Sequence, residues 1–240
     1  MTSQYETAWE DYWRTLAEEN DTAFWDVPAD TELSKFLPQL KKAFDPKLPL
    51  IDFGCGNGMQ TLFFAQHFPQ VWGVDVSAAA VEQARAQVQG SQPILEVLDA
   101  TDLLQTQALA KKIGEAHIFI RGVLHQIQAE DRPLVIASLQ QLLGDNGQLF
   151  LIELSPRAKQ LFDGLIEKLG APPPQLARVF RHGIAPAAIS PEDIRSSFPK
   201  DRYEILDQGE TSMNTNTILP NGESVQVPAF FMRVQRNNLS

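Results

Sequence analysis

The sequence predicts an α/β chain built on a mostly parallel sheet with flanking helices. Three observations predict it. Short apolar runs recur at intervals of about one βα unit, at 50–53, 71–75 and 94–98. Helical patterns alternate with these runs, as βα units require. The first run also passes directly into a glycine-rich turn, Gly54-Cys55-Gly56-Asn57-Gly58, that opens a helix.

The first strand takes its apolar run from Leu48, Leu50, Ile51 and Phe53. Glycines at 54, 56 and 58 then allow positive φ and let the backbone approach a ligand closely. A helix is expected from about Asn57, with Leu62, Phe63, Ala65 and Phe68 on its apolar side. A strand, a glycine turn and a helix start together form a nucleotide-binding corner. The spacing is G-x-G-x-G, and Met59 stands where the dinucleotide pattern G-x-G-x-x-G needs its third glycine. Asp52 precedes the turn, and an acid there repels a phosphate and suits a cation.

The second strand, 71–75, ends in Asp75, and Ser77 caps a helix whose apolar side is Ala80, Val81, Ala84 and Val88. An acid at the end of the second strand is where nucleotide-binding α/β folds grip a ribose diol. The third strand begins at Ile94 and leads to Asp99-Ala100-Thr101-Asp102, where either acid is able to cap the next helix. The fourth strand, 116–122, carries His117 and Arg121 and runs into Val123-Leu124-His125-Gln126-Ile127. The fifth, 147–154, follows a Gly144-Asp145-Asn146-Gly147 turn and places Glu153 near its carboxyl end.

Taken together, Asp52 to Gly58, Asp75, Asp99-Ala100 and Val123 to Ile127 resemble the motifs of the class I S-adenosylmethionine (SAM) methyltransferases of small-molecule type, over about residues 45–155. The resemblance implies a Rossmann-like sheet of seven strands ordered 3-2-1-4-5-7-6, the seventh antiparallel, with an N-terminal helical cap. It implies SAM as cofactor. Asp52, Gly54, Cys55, Gly56 and Gly58 would serve its methionine part, and Asp75 its ribose, with Val76 alongside. Asp99 would accept from the adenine amino group and the Ala100 N–H would bond a ring nitrogen. The chain departs from the family at His117 and Arg121, where an Asp early in the strand and a Ser or Asn near its end are frequent. Arg121 is counted with the cofactor set; it would hold an anionic group in the crevice or pair with Asp99 or Asp102.

Composition narrows the function classes. The chain has 240 residues, 43% of them hydrophobic, enough for one large core. Its net charge is −10, so it gains no counterion-release term on a polyanion, which argues against nucleic acid as a partner. No apolar run approaches the roughly 20 residues of a membrane span. The N-terminal residues, from Met1, carry no secretory pattern, and the one cysteine, Cys55, pairs with nothing within the chain. A cytoplasmic monomer or homodimer is the expectation. The four histidines lack ligand spacing, so no metal is expected.

The chain is read as one methyltransferase domain over 1–240. Residues 1–44 form the cap, with a helix carrying Tyr5, Trp9, Trp13 and Leu16 that ends at Asn20-Asp21, and a second helix from Asp30 that carries Leu33, Phe36, Leu37, Leu40 and Phe44. Residues 45–155 form the cofactor core, and 155–190 a substrate-side insert with a helix, a Pro172-Pro173-Pro174 break, a short helix to Arg181-His182-Gly183 and a loop over 184–189. Residues 191–240 open with Ser190-Pro191-Glu192-Asp193 as a helix start. They finish in two antiparallel strands, 202–206 (reaching 210 at most) and 227–234, around a turn at 219–223.

The expected activity is methyl transfer to a small-molecule acceptor by direct displacement. His125, Glu153 and His182 are candidate bases, and Trp13, Trp25, His125 and Arg181 candidate substrate contacts. The alternatives are transfer of another group from SAM or a SAM derivative, and a SAM-binding regulatory protein without transfer activity. A nicotinamide dehydrogenase is disfavoured by Met59 and Asp52.

Overall fold

A computed structural model describes residues 3–184, 188–219 and 222–237. Seven strands lie in the order β3-β2-β1-β4-β5-β7-β6. They are β1 (Leu50–Phe53), β2 (Val71–Asp75), β3 (Ile94–Val97), β4 (His117–Arg121), β5 (Gln148–Leu154), β6 (Tyr203–Ile218) and β7 (Ser224–Arg236). The first five are mutually parallel, and β7 runs antiparallel to both β5 and β6. All four residues of β1 are buried, as expected of a parallel strand covered on both faces. On β4 and β5, Ile118, Ile120, Leu149 and Leu151 pack to one side of the sheet, while Phe119 and Phe150 stack with Phe231 on the other. The chain moves outward from β1 through β2 to β3, then returns to lay β4 on the other side of β1. That reversal opens a crevice at the carboxyl ends of β1 and β4.

Helix α1 (Gln4–Glu19) starts on Ser3, whose side chain accepts from Glu6 N, and ends on Asn20 in the left-handed conformation. It lies across the crevice and is tied near its start and at its middle. Glu10 Oε2 accepts from Ser77 Oγ (2.8 Å) and Ala79 N (2.9 Å), a carboxylate on the N-terminus of α5 (Ala78–Gln87). Tyr5 Oη donates to Asp131 (2.7 Å) and accepts from Gln128 N (3.0 Å).

The second cap helix is two helices, α2 (Ala29–Leu33) and α3 (Leu37–Ala43). Pro38 has no N–H for the Ser34 carbonyl and its ring crowds that carbonyl, so the helix restarts. Helix α4 (Met59–Ala65) begins two residues later than expected, with Gly58 at its N-cap. Thr61 and Phe64 are its fully buried residues, while Leu62, Phe63, Ala65 and Phe68 are half-buried, the last three packed against the core. On α5 the buried residues are Ala80, Val81 and Ala84. Helices α6 (Leu103–Ile113) and α7 (Arg132–Leu143) pack against each other beside β4.

The insert forms α8 (Ala158–Leu169) and α9 (Pro174–Arg181), divided at Gly170 and the prolines. Helix α10 (Pro191–Ser197) carries the Ser190–Asp193 capping box. The loop over 184–189 and the turn over 219–223 lie partly outside the described residues, as do Met1 and Thr2. The final strands are longer than expected. Leu154, the last residue of β5, pairs with Ala229, yet β6 and β7 continue pairing through Ser212–Pro228, Met213–Val227 and Asn214–Gln226. This ribbon extends past the carboxyl edge of β5 and overhangs the crevice.

Candidate functional site

One cavity occupies the crevice. Its floor is the turn after β1. Gly54 has φ +75°, and a Cβ there would stand 2.4 Å from Val123 Cγ2. Gly56 has φ +53°, and its Cβ would stand 2.8 Å from the Trp13 ring. Any side chain at either position meets both a strained backbone and a filled space. Gly54, Cys55 and Gly56 line the cavity; Asp52 and Gly58 stand behind it. Asp52 is 3% exposed and accepts from Thr61 Oγ1 at 2.5 Å. Its burial pushes the pKa up to about 7, and the nearby Asp75 carboxylate adds to the rise. Gly58 lets α4 pack closely on Ala84 of α5. Burial raises the Cys55 thiol pKa well above its ordinary value, so this cysteine stays protonated.

The side wall comes from the ends of β2 and β3. Asp75 Oδ2 accepts from Gly56 N (2.9 Å) and Oδ1 from Ser77 N (3.0 Å), which fixes the carboxylate and leaves a lone pair on each oxygen. Burial raises its pKa, opposed by those backbone donors. Val76 lies next to it on the lining. Asp99 Oδ1 accepts from Thr101 N (2.9 Å) and Thr101 Oγ1 (2.7 Å), and both Asp99 and Ala100 line the cavity. Asp102 is instead the N-cap of α6, accepting from Leu104 N and Gln105 N.

At the end of β4 the expected pairing of Arg121 with Asp99 or Asp102 is replaced by another. Arg121 Nε and Nη2 donate to the two oxygens of Glu32 at 3.1 and 2.8 Å, and Nη2 also reaches Asn214 O at 3.1 Å. Both side chains are nearly inaccessible, at 4% and 2%. The guanidinium is thus committed to tying α2 and β6 to β4. Beyond it, Glu153 is wholly buried and absent from the lining, contrary to its expected place beside the crevice. Its carboxylate accepts from Val123 N, Leu124 N and His125 N and bonds His125 Nδ1 at 2.7 Å. Glu153 therefore holds the turn after β4, and among the described residues those amides have no other acceptor. His125 does line the cavity, but its Nε2 is taken by Gln126 Nε2 at 2.8 Å. His117, at the opposite end of β4, accepts from Gln148 N and stacks on Phe44 at 4.3 Å.

The outer wall joins segments far apart in the chain. Trp9 and Trp13 pack edge to face on Tyr12, and Trp25 stacks on it at 5.6 Å. Phe24, Phe162 of α8, Leu176 and Val179 of α9 and Met213 of β6 complete an apolar surface. Trp13 and Trp25 line the cavity. Arg181 and His182 do not: Arg181 is exposed, and His182 bonds Asp11 at 2.9 Å outside the cavity. The buried cation of α9 is Arg178, one turn earlier, which pairs with Glu19 and with Asp21 (2.8 Å). Sequence reading missed Asp26, Glu32 and the Met213-Asn214-Thr215 stretch. A carboxylate beside Trp25 in a connecting loop is a usable signal for Asp26. Glu32 and the stretch carry none, because only their partners across the fold identify them.

The lining holds four acids (Asp26, Glu32, Asp75, Asp99) against Arg121, which is already paired. Such a cavity repels phosphates and suits a cationic ligand. No group of three or more His, Cys, Asp or Glu among the described residues is able to hold a metal, and no helix among them is long and apolar enough to cross a membrane.

Comparison with known proteins agrees with this geometry. The family model for a methyltransferase domain matches residues 50–147. No curated protein matches the chain. Among solved structures, a SAM-dependent methyltransferase from Anabaena variabilis ATCC 29413 is 38% identical, with a TM-score of 0.92 over 96% of this chain and 94% of that one. Magnesium protoporphyrin IX methyltransferase from Synechocystis PCC 6803, with bound S-adenosylhomocysteine, shares the fold at 20% identity, a TM-score of 0.59 and 98% of each chain. The N-methyltransferase NodS from Bradyrhizobium japonicum WM9 does so at 15% identity, a TM-score of 0.58 and 97% and 99% coverage. With its strand order, glycine turn and full-length relative at this identity, the chain belongs to the SAM-dependent methyltransferases, and its cofactor is SAM.

Proposed function

We propose that the chain methylates a small-molecule acceptor by direct displacement, with the cofactor in the inner half of the cavity and the acceptor in the outer half. The observation that carries this reading is the contrast of linings within one continuous space. Strand ends with fixed carboxylates lie inside, and an aromatic and aliphatic wall lies outside. In this reading Asp75 takes the ribose hydroxyls on its remaining lone pairs. Asp99 and the Ala100 N–H meet the adenine, Val76 packs on it, and Gly54, Cys55 and Gly56 flank the methionine part. The absence of an uncommitted cation on the described lining supports a cofactor without phosphate. Bound SAM supplies an electrophilic methyl group on a sulfonium with a neutral leaving group. The protein's own work is to align the acceptor and exclude water, which the wall of α1, α8, α9 and the β6 ribbon is built to do. Residues 1–240 act as one domain in this reading, because cap, insert and ribbon all close the same cavity.

Calorimetry on Asp75→Ala tests the inner half. Loss of two charge-assisted hydrogen bonds should weaken SAM binding by about 2–4 kcal/mol, roughly 30- to 1,000-fold. A folded variant with unchanged affinity would remove the ribose assignment. An acceptor screen with labelled methyl tests the outer half, and product on a small molecule is the expected result.

A further inference from the structure

The cavity contains a carboxylate that no part of the cofactor assignment uses. We propose that Asp26 is the base that takes the acceptor's proton, and that the acceptor is an uncharged, largely apolar ring compound presenting one N–H or O–H. The proposal rests on the outer cavity being the acceptor site, and deepens that reading.

Asp26 lies in the loop between α1 and α2, beside Trp25, and lines the cavity. Its Oδ2 accepts from Ala23 N at 2.9 Å and from Asn57 Nδ2 at 3.0 Å. Both bonds fall on one oxygen, and among the described residues Oδ1 has no hydrogen-bond partner. The carboxylate is thus oriented by its own loop and registered against the glycine turn through Asn57, with one oxygen left for a ligand. The other candidate bases are committed. Both His125 nitrogens are engaged, Glu153 is sealed beneath the turn, and His182 is outside the cavity.

The electrostatics agree. Burial raises the Asp26 pKa to about 6, while Ala23 N, Arg121 and Asn57 restrain the rise. A carboxylate poised there receives a proton and releases it again near neutral pH. The titratable and charged groups that face it are Tyr12 of α1, whose phenol burial keeps neutral, and Arg121 of β4, which Glu32 of α2 pairs. The apolar lining of the same cavity, Trp25, Phe24 and Phe162 among it, suits a flat apolar body, and the acidic excess of the lining disfavours an anionic one.

In the step, the acceptor's lone pair becomes its bond to the methyl carbon while the carbon–sulfur electron pair stays on sulfur. The N–H or O–H proton passes to Asp26 Oδ1, and the acid returns it to water after product leaves.

The test uses the full chain, wild type and Asp26→Asn, with SAM and a panel of phenols, anilines and indoles. Calorimetry should show SAM affinity within about threefold between the two. For any panel member methylated, kcat should fall on the order of 100-fold or more with little change in KM. The wild-type kcat/KM should decline below an apparent pKa near 6, a limb absent from Asp26→Asn. Asp26→Glu, which keeps a carboxylate, should recover part of the rate, and thermal melting checks that each variant is folded. Wild-type kcat in Asp26→Asn, or no acidic limb in the wild type, overturns the proposal. So does a SAM affinity lowered more than tenfold, which would make Asp26 a cofactor ligand. Methylation of no panel member by a wild type that binds SAM also overturns it, leaving the cofactor reading intact. A wild type that fails to bind SAM would strike that reading as well.

Discussion

The two halves of the cavity are built by different means. The inner half draws its polar residues from short stretches of neighbouring βα units, where a carboxylate is oriented by backbone amides, two residues on for Asp99 on Thr101 and for Asp75 on Ser77, with Gly56 of the adjacent turn adding a bond to Asp75. The outer half draws on the α1–α2 loop, α8, α9 and the β6 ribbon, and its main polar tie, Arg121 to Glu32, spans 89 positions. Local hydrogen bonding makes the inner half resistant to change elsewhere. The outer half depends on distant elements remaining docked.

The comparison breaks hardest at Glu32. Glu32→Ala leaves Arg121 buried without its partner, and removes the acceptor for Asn214 N. Stability should fall by about 3–5 kcal/mol in denaturant unfolding. If the halves are independent, SAM affinity of the folded fraction stays near wild type; a parallel loss of SAM binding would show them coupled.

The end of β4 remote from the cavity offers a control on pH. Burial lowers the His117 pKa to about 4, restrained by the neighbouring Asp45. Its folded pKa lies below the ordinary 6.5, so the unfolded chain binds the proton first. By itself this group makes stability decline as pH falls from about 6.5 toward 4, at up to ~1.4 kcal/mol per pH unit and about 3 kcal/mol in all, while Asp52 and Asp26, whose raised pKa values make the folded chain bind protons first, act in the opposite direction. His117→Asn should remove that contribution, so the variant gains stability relative to wild type as pH falls through this window in pH-dependent melting, and should leave SAM affinity unchanged. An unaltered slope would assign the acid limb to other groups.

Trp25→Ala opens the outer wall without touching the turn after β1. SAM affinity should stay within tenfold, or ~1.4 kcal/mol, while acceptor turnover drops much further. Measuring both on one preparation sharpens the division between halves, and equal losses would erase it. Arg181→Ala should have the smallest effect. The side chain is exposed and outside the cavity, so stability should stay within about 0.5 kcal/mol and turnover should not change. A marked loss of turnover would return Arg181 to the acceptor site.

The inner half was legible because its signals are spacings. Glycines at 54 and 56, and acids at 75 and 99, follow strands that the βα rhythm marks, and the family resemblance implied the order of those strands. Asp52 and Gly58 belong to the same pattern but face the packing behind the turn, against Thr61 and Ala84. Which way such residues point depends on what packs on each face, and on α4 the deepest positions are Thr61 and Phe64, with Phe63, Ala65 and Phe68 packed at the edge of the same core. In the insert, the choice between Arg178 and Arg181 depended on which flank of α9 meets Glu19 and Asp21. In the tail, turn residues marked the reversal, but how far β6 and β7 continue past β5 depended on pairing with each other.

The sequence by itself determined the α/β class, the strand order through its family pattern, the turn after β1 and the acids that follow β2 and β3. Apart from the strand order, which came with the family pattern, each is a matter of local φ, periodicity and short-range capping, which neighbouring residues encode. Tertiary structure alone decided the Arg121–Glu32 pair, the burial of Glu153, the free oxygen of Asp26 and the ribbon over the crevice. Those features depend on desolvation and on hydrogen-bond partners brought together across the chain, and a single sequence carries no local pattern for either.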